Sequence, residues 1–199
     1  MDRSVTVYLM RHARTKSNNE HRYLGWTDED ILSSKDLPVV NSDCEIVFGS
    51  DLKRCKQTAE KYFPNASYNG DAGFRESNFG EFEGKTYDEL KDCSLYRKWI
   101  DDPRHIAPPA GETLIEVTNR SIAAFRRLPK RLTKYRLILH GGTIRTLLVE
   151  LAPEPSEFWD WHVTHDELFM LQWDTAEAFR EGRRCTFLSV VPITENMNM

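Results

Sequence analysis

The chain has 199 residues, 40% hydrophobic and 29% charged, which suits a single folded domain and excludes a largely disordered chain. Its net charge of -4 argues against nucleic acid or an anionic membrane surface as the main partner, while leaving room for a local basic pocket. The four cysteines, Cys44, Cys55, Cys93 and Cys185, show no C-x-x-C spacing, so they read as reduced thiols of a cytoplasmic protein and offer no structural zinc site.

The opening segment Met1 to Met10 alternates apolar and polar residues and runs straight into Arg11-His12, unlike a secretion signal. No stretch approaches the length needed to cross a bilayer. Val5 to Met10 is apolar and β-branched, so it reads as a buried strand. Glu45 to Ser50 reads as a second strand. Asp51 to Phe63 follows with Leu52, Cys55, Ala59 and Phe63 on one helix face, and Pro64-Asn65 stops it. Arg75 to Gly111, richer in charge, glycine and proline, reads as a small helical excursion over one sheet edge.

Thr113 to Leu128 again has helical spacing, through Leu114, Val117, Ile122 and Phe125. Tyr135 to Leu139 is a third buried strand. It enters His140-Gly141-Gly142, then a helix from Thr143 to Leu151 that Pro153 and Pro155 close. Leu168 to Trp173 and Cys185 to Val191 are late strands, expected to pair through the loop near Gly182. The polar tail after Pro192 is expected to fray. Strands alternating with helices imply an α/β, three-layer αβα sandwich with a mostly parallel central sheet and helices on both faces. Residues 1–199 read as one domain with the excursion around 75–111.

Three strand ends carry reactive groups: Arg11-His12, Ser50 with Arg54 just beyond, and His140-Gly141. In open α/β sheets ligands bind at the carboxyl ends of strands, so these positions can converge. A neutral imidazole at His12 is a good nucleophile near neutral pH. Arg11 and Arg54 supply bidentate charge for phosphoryl oxygens, and His140 can donate to the same oxygens. Glu76, within Phe74 to Gly84, is placed to give its proton to a leaving alcohol. Singly, each has an ordinary alternative: a structural histidine, a solvated helix arginine, a surface carboxylate. Their ordered co-occurrence carries the signal.

At this point the chain resembles the histidine phosphatase superfamily, in its phosphoglycerate-mutase-like branch, over Val5 to Val190. Leu9 to Asn18 is similar to its signature R-H-G-(E/Q)-T-x-x-N, and Tyr23 to Asp28 to its substrate loop. Gly49 to Ala59 resembles S-x-L-x-R-x-x-Q-T-A, Phe74 to Gly84 resembles L-R-E-x-x-F-G-x-x-E-G, Pro109 to Thr113 resembles P-x-G-E-S, and Leu139 to Arg145 resembles the second histidine motif. The resemblance implies a phosphoglycerate mutase-like fold, a phosphohistidine at His12, and a phosphate pocket of Arg11, Arg54 and His140. It implies Glu76 as proton donor and then base. It further implies phosphate or substrate binding by Asn18, Thr15, Leu24, Gly25 and the Gly141 backbone, with no metal or organic cofactor. Ala13 and Arg14 depart from the signature, replacing glycine and an acid or amide. Alanine tolerates fewer backbone angles than glycine, and Arg14 is expected to face solvent rather than the pocket mouth.

About 36 residues separate Glu76 from Glu112, a compact excursion that favours water over a second substrate as phosphoryl acceptor. The segments Leu95 to Pro103 and Pro108 to Glu112 are similar to the small bacterial phosphatases, including α-ribazole phosphatase. The expected activity is hydrolysis of a small phosphorylated metabolite, with α-ribazole 5'-phosphate first among single substrates. A mutase-type phosphotransferase is the alternative, and a non-catalytic phosphate-binding module ranks lower because no reactive residue is lost. Tyr96 and Trp99 offer either a substrate wall or helix packing. His162 and His165 have a helical i, i+3 spacing but no further metal ligands, so a surface or supporting role is expected. Trp159 and Trp161 read as core or interface residues. The expected form is a cytoplasmic monomer or homodimer.

Overall fold

A computed structural model describes residues 3–32, 37–41, 43–197 and 199. In chain order the elements are β1 (Val5–Arg11), α1 (Lys16–Asn19), β2 (Ile46–Gly49), α2 (Lys53–Tyr62), β3 (Ser67–Gly70), α3 (Tyr87–Leu90), α4 (Ser94–Asp101), α5 (Leu114–Arg126), β4 (Lys134–Leu139), α6 (Gly141–Leu151), β5 (Glu167–Trp173), α7 (Ala176–Glu181) and β6 (Phe187–Pro192). The strands form one sheet in the order β3-β2-β4-β1-β5-β6. β3, β2, β4 and β1 are mutually parallel, and β5 and β6 complete the sheet antiparallel.

Alternation along β1 sets the layers. Val5, Val7 and Leu9 join Phe125 of α5, Ile144 and Leu147 of α6 and Phe179 of α7 in one apolar cluster. Tyr8 and Met10 point the other way and join Cys55, Ala59 and Tyr62 of α2. A strand buried on both faces must be apolar at nearly every position, which is why β1 reads as a continuous run rather than an amphipathic one. Burying one leucine such as Leu147, fully inaccessible here, stabilises by about 1.5–3 kcal/mol. The result is the expected α/β sandwich. A third cluster, Phe82, Leu90, Tyr96 and Trp99, lies in the helical excursion.

Register brings the reactive strand ends level. Arg11 pairs with Leu139, and Gly49 pairs with Ile138. The next residues on each chain, His12, Ser50 and His140, therefore leave the sheet along one edge.

Four sequence expectations change here. The tail does not fray: Met197 N–H donates to the Val40 carbonyl, Asn41 Nδ2 donates to the Met197 carbonyl, and Met199 is buried in the α2-side cluster. Two methionines make an apolar anchor inside a segment whose average is polar. The link between β5 and β6 contains α7, with Gly182 as its left-handed cap at φ 71°. That helix is only six residues long, too short for periodicity to show. His162 and His165 lie in extended chain between α6 and β5, not on a helix. β3 was not anticipated because Ser67–Gly70 is polar and mostly exposed, and it is held by backbone pairing to β2.

Candidate active site

His12 is 3% exposed. Its Nδ1 lies 2.7 Å from the Ala13 carbonyl. A carbonyl only accepts, so Nδ1 must carry the proton and Nε2 is left with its lone pair. Nε2 has no hydrogen-bond partner among the described residues. Burial, then the charges of Arg54 and Arg11, hold this imidazole well below its ordinary pKa, so it is neutral at neutral pH.

The loop around it is pinned from both sides. Ala13 N–H donates to Thr58 Oγ1 at 2.8 Å, and the Thr58 hydroxyl donates to the Arg54 carbonyl at 2.7 Å. His165 Nδ1 donates to the His12 carbonyl at 2.6 Å. Ala13 is not among the residues with positive φ. The loop therefore has no need of glycine there, and the departure from the signature leaves His12 beside its partners.

Arg54 is wholly buried. It grows from the first turn of α2, and its guanidinium is fixed by three acceptors: Gly25 O at 2.6 Å, Thr27 O at 2.9 Å and His140 Nδ1 at 3.2 Å. Glu83 holds that carbonyl loop in turn, accepting from Trp26 N–H at 2.6 Å and Thr27 N–H at 2.8 Å. Because His140 Nδ1 accepts, its proton sits on Nε2, 3.5 Å from Cys55 Sγ. Thiol sulfur is a weak acceptor, so that N–H remains available to a stronger one. The rings of His12 and His140 are 5.1 Å apart. Burial and the charge of Arg54 keep His140 neutral as well.

Arg11 Nη1 donates to the Val163 carbonyl at 3.0 Å, while its buried Nε has no partner among the described residues. A buried guanidinium N–H left unpaired costs free energy until an anion meets it. Burial lowers the pKa of both Arg11 and Arg54, and the charge of Glu76 acts in the opposite direction on both.

Glu76 is locked from three directions. Its Oε2 accepts from Gly142 N–H at 2.8 Å, at the start of α6, and its Oε1 accepts from Ser77 N–H at 2.9 Å. Its own carbonyl accepts from Arg120 Nη2 at 2.8 Å and Trp26 Nε1 at 3.0 Å. Arg120 also binds the carbonyls of Gly73 and Arg75 and pairs with Glu112 at 2.8 Å. A Cβ at residue 142 would lie 2.3 Å from Glu76 Oε1, so a side chain there would push the carboxylate from this position.

A cavity of about 310 Å³ opens beside these groups, lined by Arg11, Asn18, Leu24, Glu76, Gly141 and Gly142. Its far wall is apolar, with Trp99, Ile100, Leu114, Phe158 and Trp159. Of the residues expected to bind substrate, Asn18, Leu24 and Gly141 line this space. Thr15 does not: it is buried, and its hydroxyl caps α1 by accepting from Asn18 N–H. Gly25 supplies a carbonyl to Arg54. Tyr96 is buried with its hydroxyl on Tyr23, so of the two aromatics of α4 only Trp99 reaches the cavity. Arg14 is exposed, as expected, yet it also lines a neighbouring basic cavity with Arg11, His21 and Arg22. His162 is exposed, and Trp161 packs on the core. Trp159 is not a core residue: it is 66% exposed.

The sequence assigned no role to Thr58, Glu83, Arg120 or Arg145, while His165 has the supporting role that was one of its two expected readings. Thr58, Glu83 and Arg145 stand inside the matched motifs, so position in a motif was the available signal. Arg120 carried none, because its targets are backbone carbonyls far away in sequence.

Residues 38–182 match the sequence profile of the histidine phosphatase superfamily, branch 1. The chain belongs to that superfamily. It is 25% identical over 176 residues to a 2,3-bisphosphoglycerate-dependent phosphoglycerate mutase of Methylocella silvestris, covering 76% of this chain and 82% of the relative. It is 25% identical over 171 residues to phosphoserine phosphatase 1 of Hydrogenobacter thermophilus, covering 78% and 80%. Its fold matches the α-ribazole phosphatase structure from Shigella flexneri with a TM-score of 0.80 and 20% identity, over 98% of this chain and 99% of that one. The profile match begins beyond His12, so the nucleophile assignment rests on the geometry above and on the Leu9 to Asn18 segment.

Proposed function

We propose that this chain is a phosphomonoester hydrolase working through phosphohistidine at His12. The observation that carries it is the tautomer: Nδ1–H is tied to the Ala13 carbonyl, which leaves the Nε2 lone pair for phosphorus, with the His140 ring 5.1 Å away and the charges of Arg54 and Arg11 acting on the imidazole. Nε2 attacks phosphorus, the N–P bond forms and the P–O ester bond breaks. Glu76 takes a proton from the substrate's phosphate monoanion and passes it to the departing alcohol oxygen. The imidazolium charge created on His12 is stabilised by the Nδ1–H bond. Water then attacks phosphorus, Glu76 takes the water proton, the N–P bond breaks, and inorganic phosphate leaves. Arg11 and Arg54 bear the charge of the oxygens throughout. The scheme uses only side chains and backbone, so turnover is expected without added metal or cofactor.

The apolar far wall supports an alcohol portion with an uncharged, ring-bearing surface, and α-ribazole 5'-phosphate is the first substrate to test. The mutase reading draws support from the phosphoglycerate mutase relative, while the compact excursion favours water. The four free cysteines favour a cytoplasmic protein, acting on a small metabolite as a monomer or homodimer. Among the described residues no helix is long and apolar enough to cross a membrane.

The test is phosphate release, with chelator present, from α-ribazole 5'-phosphate, phosphoglycerates, phosphoserine and sugar phosphates. Release that His12→Ala abolishes supports the reading. Interconversion of phosphoglycerates with little free phosphate would replace it with the mutase.

A further inference from the structure

Trp159 has no role in the chemistry above, and its position is unusual for so large an apolar side chain. It sits in the short turn Phe158–Asp160, which Glu157 and Asp160 close by capping each other's backbone. Two-thirds of its surface is open to solvent. It lines the catalytic cavity and also a second cavity of about 300 Å³. Phe158, Pro103 and Leu114 are common to both cavities.

The ridge is mounted on the catalytic helix. Arg145 stands one turn along α6 from Gly141, and its Cζ lies 5.4 Å from the centre of each of the Phe158 and Trp159 rings. Its Nε donates to the Trp161 carbonyl at 2.9 Å. The two rings meet edge to face at 4.8 Å. A cation shared by two rings holds them in place. Gly142 of the same helix holds Glu76. The ridge and the proton donor therefore keep a fixed spacing.

We propose that Trp159, backed by Phe158, is a specificity-determining stacking surface for a planar aromatic ring on the substrate's alcohol portion. The reading deepens the hydrolase proposal and rests on it for the placement of the phosphate end. Stacking suits this surface because a ring face needs apolar area and no fixed donor or acceptor. Trp99, Ile100 and Leu114 supply apolar area elsewhere along the same wall.

The probes are two phosphate esters of primary alcohols, 2-(2-naphthyl)ethyl phosphate and propyl phosphate, whose leaving groups are alike and whose far ends differ. Trp159→Ala should raise KM for the naphthyl ester about tenfold and leave propyl phosphate within about twofold. Trp159→Phe should recover most of the loss. The matching naphthyl phosphonate, with carbon in place of the ester oxygen, gives a calorimetric Kd that needs no turnover. If neither ester is hydrolysed, the hydrolase reading fails, and the Kd shift with Trp159→Ala still decides the stacking surface. Equal effects on both probes, or an unchanged naphthyl preference, would overturn the proposal. So would a Trp159→Ala variant that loses self-association on light scattering yet keeps that preference.

Discussion

The two sides of the proposed site, the buried groups behind the cavity and the apolar residues that line it, are built on different terms. At the phosphate end, His12, Arg54 and His140 are almost wholly buried, and each is tied to backbone carbonyls or to another buried group. At the alcohol end, Trp159 is mostly exposed, and Trp99, Ile100 and Leu114 meet the cleft as apolar surface. The first wall fixes tautomer and charge, which any phosphoryl transfer needs. The second fixes shape alone, and shape can vary without touching the chemistry.

The largest break should come from the buried wall. His12→Ala should lower turnover by about 10⁴-fold or more, read by phosphate release. Glu76→Gln should cost about 10²–10⁴-fold in kcat, because it keeps the volume and cannot take up and pass on the proton. Gly142→Ala removes neither group and keeps the N–H that binds Glu76 Oε2, yet its Cβ would press on Glu76 Oε1 at 2.3 Å. It should lower kcat by about 10²-fold with a smaller change in KM, since misplacing a catalytic group by an ångström costs that much. A Gly142→Ala variant of normal kcat would show that Glu76 does not work from this position.

The pH response is subtler. His12 is held well below its ordinary pKa by burial and by Arg54 and Arg11. Its nucleophilic form should therefore persist as pH falls through 6.5, and the acid limb of kcat/KM should not sit at an ordinary histidine value. Stability behaves differently. Burial pushes His165 down to about 4 from 6.5. Between those values the unfolded chain takes up a proton that the folded chain refuses. Stability contributed by His165 is thus present above pH 6.5 and lost as pH falls toward about 4. His12 and His140 act in the same direction. Chemical denaturation of His165→Gln should show a shallower loss across that window, and an unchanged slope would remove His165 from the account.

The same division explains what was legible in the sequence. β1, β2, β4 and the residues at their ends were readable because strands buried on both faces must be apolar and the reactive groups follow them directly. The layers followed from the alternation of strands and helices. Arg120 and Glu83 were not readable as supports, and the target of His165 was not readable either, because each acts on backbone carbonyls or N–H groups that any sequence provides. The docked tail was missed because Met197 and Met199 are two apolar residues in a polar stretch. Trp159 was read as a core or interface residue, and its exposure removes the core reading only. Recognition at the exposed wall depends on which surfaces face each other across the cleft, and a linear pattern holds no record of that.

The most direct measurement is rapid quenching of the enzyme with a phosphate ester during turnover, followed by mass analysis of peptides kept at alkaline pH. One phosphoryl group should appear on His12, resist base, disappear on brief acid treatment, and be absent from His12→Ala. Sustained turnover with no phosphoryl group on His12, or with the group on another residue, would contradict the assignment.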